Sequence, residues 1–308
     1  MTSVRLRGPA GDRRSAAPRR PLSRSRRNTI AAILFMAPAL IALVVLRLAP
    51  ALSAIWESLF RTTLLSGTSF VGLDNYAAMF QNPSFLGSLG VTLLFAVIIN
   101  PLQVGVALLL AVLYTRAAAA SKVWRALVLL PIAAPPAVAA VIWSVIYRPD
   151  GFGNALLRLV GIPDQPFLTS SDQALFSLIV LMSWVGVGYW MMFLIAGIND
   201  IPASYYEAAA IDGAGFWRSF VKITIPLLRR PLAFVLVADT VANFLVFAPV
   251  QILTKGGPEG STNLLMYDIY TRAYSTNDIN TAQAEVVVLV VITLVIVAIQ
   301  FRLLRNDD

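Results

Sequence analysis

Six separate runs of mostly apolar residues, at 29–48, 90–114, 127–147, 175–198, 232–253 and 286–304, constrain this chain more than any other feature. Each has about the length that carries a helix across the hydrocarbon of a bilayer, where a backbone must satisfy its own hydrogen bonds. Composition supports the reading, because 58% of the 308 residues are hydrophobic and 13% charged. A soluble domain has about 45–50% and 25%. The expectation is an all-α integral membrane protein of six transmembrane helices.

Charge placement predicts the orientation. Arg5, Arg7, Arg13, Arg14, Arg19, Arg20, Arg24, Arg26 and Arg27 precede the first run, with Asp12 the lone acid. By the positive-inside rule this segment is cytoplasmic. Arg116, Lys122 and Arg125, then Arg218, Lys222, Arg229 and Arg230, and finally Arg302 and Arg305 fall on the same side. Only Arg47, Arg61, Arg148, Arg158, Lys255 and Arg272 fall outside. Both termini are therefore expected in the cytoplasm, with 1–28 a disordered basic tail and 29–308 the membrane domain. The net charge of +8 follows topology and calls for no nucleic-acid partner. An Arg- and Ser-rich leader also fits a transit peptide, a nucleic-acid arm, or a signal peptide cleaved near 51–54. The long basic region and full-length apolar run favour an uncleaved signal-anchor.

Chemistry is limited by what is missing. With no Cys and no His, disulfides, thiolate nucleophiles, histidine acid–base catalysis and the common zinc sites are excluded. No catalytic residue and no metal are expected.

The helices carry features that a passive anchor does not need. Pro131, Pro135 and Pro136 free backbone carbonyls at membrane depth, where protein or a wet cavity has to cover them. Asn100, Pro101 and Gln103 interrupt the second run. Trp184, Gly186, Gly188, Tyr189 and Trp190 offer close helix approach and aromatic faces. Asp239, with Asn243 one turn later on the same face, is a buried acid expected to face a cavity or a partner. The alternative is a protonated or hydroxyl-bonded packing residue. Asn100, Gln103, Trp184, Tyr189, Asp239, Asn243 and Gln251 are the candidate pathway residues. The last run, rich in Val and Ile, reads as lipid-facing scaffold.

The loop at 201–215, IPASYYEAAAIDGAG, lies on the expected cytoplasmic side. Pro202 presets a first turn, Ser204 and Glu207 have capping-box spacing, and Gly213 and Gly215 permit a reversal. Ala208–Ala210 leave the short helix nearly smooth. From these residues alone, an inserted docking helix and an ordinary surface helix are equally supported.

Glu207-Ala208-Ala209, Asp212-Gly213-Ala214, Phe220, Ile223, Pro226 and Pro231 resemble the EAA signature of ABC importer permeases. Gly72-Leu73-Asp74-Asn75-Tyr76 is similar to the element after the first span of the carbohydrate-uptake group. Arg125, Leu130, Pro131, Pro135, Trp143, Gly151 and Asn154 resemble that group's third-span pattern. Leu253-Thr254-Lys255-Gly256-Gly257-Pro258, with Thr262 and Tyr267, resembles its outer loop. The resemblance covers residues from about 30 to the end. It implies the type I, MetI-like importer fold and a coupling helix whose docking role falls on Glu207, Ala208, Ala209, Asp212, Gly213 and Gly215.

The resemblance also implies partners: a second, unlike permease subunit, two ATP-binding subunits holding ATP and Mg, and an extracytoplasmic substrate-binding lipoprotein received by 51–87 and 255–285. No P-loop occurs in this chain, so ATP hydrolysis is assigned to the separate subunits and this chain needs no cofactor. The implied setting is a multi-pass protein of a bacterial cell membrane, importing a mono- or oligosaccharide or a glycerol-phosphate-type headgroup. Two departures concern cargo. Phe244-Leu245-Val246-Phe247-Ala248-Pro249 is apolar where relatives are polar, and Asp239 replaces a small residue. Rival readings are a secondary transporter using Asp239 and a membrane-embedded lipid-linked sugar transferase.

Overall fold

The computed structural model describes residues 24–63, 67–116 and 127–304. The expectations for the tail at 1–23, for Lys122 and Arg125, and for Arg305 lie outside these. The chain divides into two compact units, 1–52 and 53–308. In the first, α1 (Arg24–Leu43) passes through a π-helical stretch, Val44–Leu48, into α2 (Ala49–Glu57), whose residues from Ser53 on belong to the second.

After α2 the second unit continues with an antiparallel hairpin of β1 (Phe60–Thr63) and β2 (Gly67–Phe70), pairing Phe60 with Phe70. Then come α3 (Asp74–Phe80), the long α4 (Pro83–Arg116), α5 (Leu127–Ala133) and α6 (Pro136–Ile146). After α7 (Phe152–Leu159) runs α8 (Ser171–Asn199), then α9 (Ala203–Ile211), α10 (Phe216–Ser219) and α11 (Ile225–Leu227). α12 (Arg229–Phe244), α13 (Ala248–Leu253), α14 (Leu265–Tyr274) and α15 (Ile279–Leu304) complete the unit.

Five helical segments are long and apolar enough to cross a membrane: Ala31–Glu57, Pro83–Thr115, Ser171–Asn199, Arg229–Leu253 and Ile279–Leu304. The pair α5 and α6, bent by 118°, makes a sixth if it counts as one span. The expected proline break is therefore present. Pro135 is extended, with ψ 146°, and α5 ends in a 3₁₀ turn over Leu130–Ala133.

α4 packs along α8 as the central pair, with Phe95, Ile99 and Leu178 fully buried between helices. Gly188 permits a close approach: a Cβ there would lie 2.5 Å from the Val128 carbonyl oxygen.

The loop motifs do structural work. Asn75, fully buried, donates to the Ser58 and Phe60 carbonyls at 2.8 and 2.6 Å and accepts from Arg61 Nε at 3.2 Å. Tyr76 shares a 2.7 Å hydrogen bond with Ser58 Oγ. Asn154 donates to the Pro149 and Gln165 carbonyls. In the Gly-Gly-Pro turn, Gly256 has φ +81°, and a Cβ would meet the Tyr267 ring at 2.9 Å. Thr262 Oγ1 donates to Thr254 Oγ1 and the Gly257 carbonyl. Each motif satisfies loop backbone that would otherwise be stranded.

The last helix, largely exposed as a lipid-facing span would be, differs from the expectation in where it starts and in its polar groups. It begins at Ile279, not 286, so much of the supposed outer loop is helix. It also carries polar work: Gln300 Nε2 donates to Thr240 Oγ1 at 2.8 Å, and Glu285 is fully buried. Glu285 meets Arg272 at 2.6 Å, with Asp268 and Asp278 3.6 and 3.9 Å from the same guanidinium. This buried charge cluster ties α14 to α15.

Candidate functional site

A cavity of about 740 Å³ opens where two helices break. One wall is the proline break between α5 and α6, contributing Pro135 and Pro136. Another part of the wall is a second break, in which α12 stops at Phe244 and the chain crosses Leu245–Phe247 before α13 starts. Sequence reasoning missed this break, because the stretch is continuously apolar. Pro249 in the first turn of α13 is its one local signal. Gly186, Tyr189 and Trp190 of α8 and Gln103 of α4 also line the cavity.

Polar residues of the cavity form one network across three helices. Asn243 Nδ2 donates to Asn100 Oδ1 (2.7 Å), Gln103 Oε1 (3.1 Å) and Asp239 Oδ1 (3.1 Å). Asn100 Nδ2 donates to Thr240 Oγ1, which donates to the Leu236 carbonyl. Gln103 Nε2 donates to the Met182 carbonyl at 2.8 Å. That bond depends on Gly186, where a Cβ would lie 2.8 Å from Gln103 Nε2. Asp239 is 1% exposed and its Oδ2 has no hydrogen-bond partner among the described residues. The Trp190 side chain leans toward the same carboxylate.

Of the candidate pathway residues, Gln103, Tyr189, Asp239 and Asn243 line the cavity. Asn100 sits behind Asn243 and faces a smaller cleft beside α15. Trp184 packs edge-on against Trp143, with ring centroids 5.9 Å apart, and is not part of the lining. Gln251, on α13, is also outside it. Thr240 and Gln300 were missed, since a lone hydroxyl or amide in an apolar run gives no periodic signal.

The second candidate region is α9, which has no buried residue: Glu207 and Ala208 are exposed and Ile211 is 87% exposed. The expected capping box does not form. Pro202 is the N-cap and makes no side-chain cap bond. The other end closes as a Schellman motif, with Ala214 N–H bonding the Ala209 carbonyl and Gly213 N–H the Ala210 carbonyl. Gly213, at φ +73°, is the left-handed residue this motif requires, whereas Gly215 has φ −71° and ordinary backbone. Tyr206 and Thr224 hydroxyls meet at 3.0 Å, tying α9 to the π-helical turn Phe220–Thr224.

Broken helices around a cavity that holds a few converging polar groups, carried on long apolar helices, define a multi-pass membrane permease. The chain belongs to the family described as binding-protein-dependent transport system inner membrane component, which matches residues 28–306. It is 35% identical over 282 residues to the sn-glycerol-3-phosphate transport system permease protein UgpA of Agrobacterium fabrum, covering 91% of this chain and 96% of that one. The protein of the same description from Escherichia coli O157:H7 is 35% identical over 276 residues, covering 89% and 93%. In fold, the chain matches a bacterial ABC transporter involved in import of the acidic polysaccharide alginate. The TM-score is 0.79 at 22% identity, covering 92% of this chain and 97% of that one. The protein is thus an inner-membrane permease subunit of a binding-protein-dependent importer.

Proposed function

We propose that this subunit forms half of an ATP-driven sugar importer and that α9 is its coupling helix. All six spans would cross the membrane, with both termini and the basic tail in the cytoplasm. The observation that carries the reading is α9 itself: a short helix closed at its C-terminal end, with no buried residue and with three alanines that let another backbone come close. Two ATP-binding subunits, carrying ATP and Mg, would receive it in a cleft through Glu207, Ala208, Ala209, Asp212, Gly213 and Gly215. Their closure would pull α9, and Tyr206–Thr224 would pass that pull toward α12. The cavity-lining breaks then give the helices a place to rock between inward- and outward-facing states.

A second, homologous but distinct permease would complete the pathway, and a binding protein would deliver cargo to the outer loops. This chain carries no catalytic step. The cargo is a mono- or oligosaccharide, received by Gln103, Tyr189, Asp239 and Asn243. A glycerol-phosphate headgroup is the second reading, favoured by the names of the relatives. Uptake in intact cells tests the energy source. It should collapse when ATP is depleted and survive dissipation of the proton gradient, whereas the reverse pattern would identify a secondary transporter using Asp239.

A further inference from the structure

We infer that Asp239 is a specificity-determining acceptor in the cavity, selecting an uncharged polyhydroxy ligand and rejecting phosphate monoesters. The inference deepens the importer reading and rests on the cavity being the passage.

It follows from where donors and acceptors remain. Both N–H groups of Asn243 are spent on Asn100, Gln103 and Asp239. Gln103 gives Nε2 to the Met182 carbonyl and Asn100 gives Nδ2 to Thr240. Pro135, Pro136 and Pro249 line the wall and have no N–H groups to offer. What remains is an acceptor: Asp239 Oδ2, buried in the lining and making no hydrogen bond among the described residues, with the Trp190 side chain the one further donor that leans toward the carboxylate. No Lys or Arg lines the cavity among those residues.

A phosphate monoester offers almost only acceptors and about two negative charges. Recognising it takes cations or free N–H groups. Against Asp239 it meets like charge at low dielectric, where charge repulsion is strongest. A sugar or polyol instead offers hydroxyl donors, one of which completes the Asp239 carboxylate, while Tyr189 and Trp190 supply aromatic faces for the ring. The volume also fits, since cavities of roughly 300–1,000 Å³ hold small organic ligands. The named glycerol-phosphate relatives therefore share the family while this wall suits an unphosphorylated cargo.

The test uses the assembled importer, purified with its partner permease and ATP-binding subunits but without the binding protein. Quenching of tryptophan fluorescence is titrated with maltose, glycerol and sn-glycerol 3-phosphate, the last two differing only in the phosphate. Maltose and glycerol should quench, with the phosphate ester binding at least about tenfold more weakly than glycerol, as expected when charge-assisted contacts are replaced by repulsion. Asp239→Asn should narrow the ratio of glycerol to phosphate-ester affinity by a similar factor, because it removes the charge and keeps the shape. Gln251→Asn, outside the lining, serves as the control that should leave the ratio unchanged. Equal affinity for both probes, no quenching by any of them, or an unchanged ratio in Asp239→Asn would overturn the proposal. None of those results bears on α9, whose docking is read by assembly with the ATP-binding subunits.

Discussion

At the scale of single residues, the polar groups of this protein act mainly by satisfying backbone, and their loss has calculable consequences. Asn75 serves two carbonyls and one guanidinium from a fully buried position. Asn75→Ala strands them, at about 1–3 kcal/mol, and should lower the thermal midpoint of the detergent-solubilised protein. An unchanged midpoint would show that water replaces the amide. Gly186→Ala tests the cavity network, because its Cβ must displace Gln103 from the Met182 carbonyl. Transport should fall, while Gly105→Ala, which meets nothing within 4 Å on α4, should keep it. Asn75 was visible in the sequence only as part of a resemblance. Its mechanical reason depends on Ser58 and Phe60 folding back over it, which no local pattern encodes.

At the scale of elements, α9 and the junction of α14 with α15 make opposite use of charge and exposure. Gly213 and Gly215 looked equivalent in the sequence, yet only Gly213 has a left-handed backbone. Gly213→Val should cost about 1–2 kcal/mol at that turn and reduce uptake, whereas Gly215→Ala should be tolerated. Ala208→Trp should leave the thermal midpoint in place, since Ala208 is exposed, and should abolish co-purification with ATP-binding subunits. Retained co-purification would remove α9 from the docking surface. In the other element, Arg272→Met leaves Glu285 and Asp268 buried without their cation, a loss of about 3–5 kcal/mol. Accumulation in the membrane should drop, and adding Glu285→Gln should recover part of it. The Val- and Ile-rich run at 286–304 read as lipid-facing scaffold, and Glu285 lies just before it. Burial by α14, a contact between separate elements, makes it structural.

At the scale of the whole molecule, apolar run lengths, charge asymmetry and the ordered motifs were enough to read a multi-pass permease, because the bilayer imposes helix length and topology on sequence directly. The proline break was legible too, since Pro removes a backbone donor wherever it sits. What only the tertiary structure decided is how the helices meet. It set the second break at Leu245–Phe247 on the same cavity as the first, the polar network that consumes the amide donors, the exclusion of Trp184 and Gln251 from the lining, and the buried Arg272 cluster. Hydropathy is a property of a segment and survives in one dimension. Which donor finds which acceptor is settled by contacts between residues such as Asn100 and Asn243, more than a hundred positions apart, and packing alone brings those together.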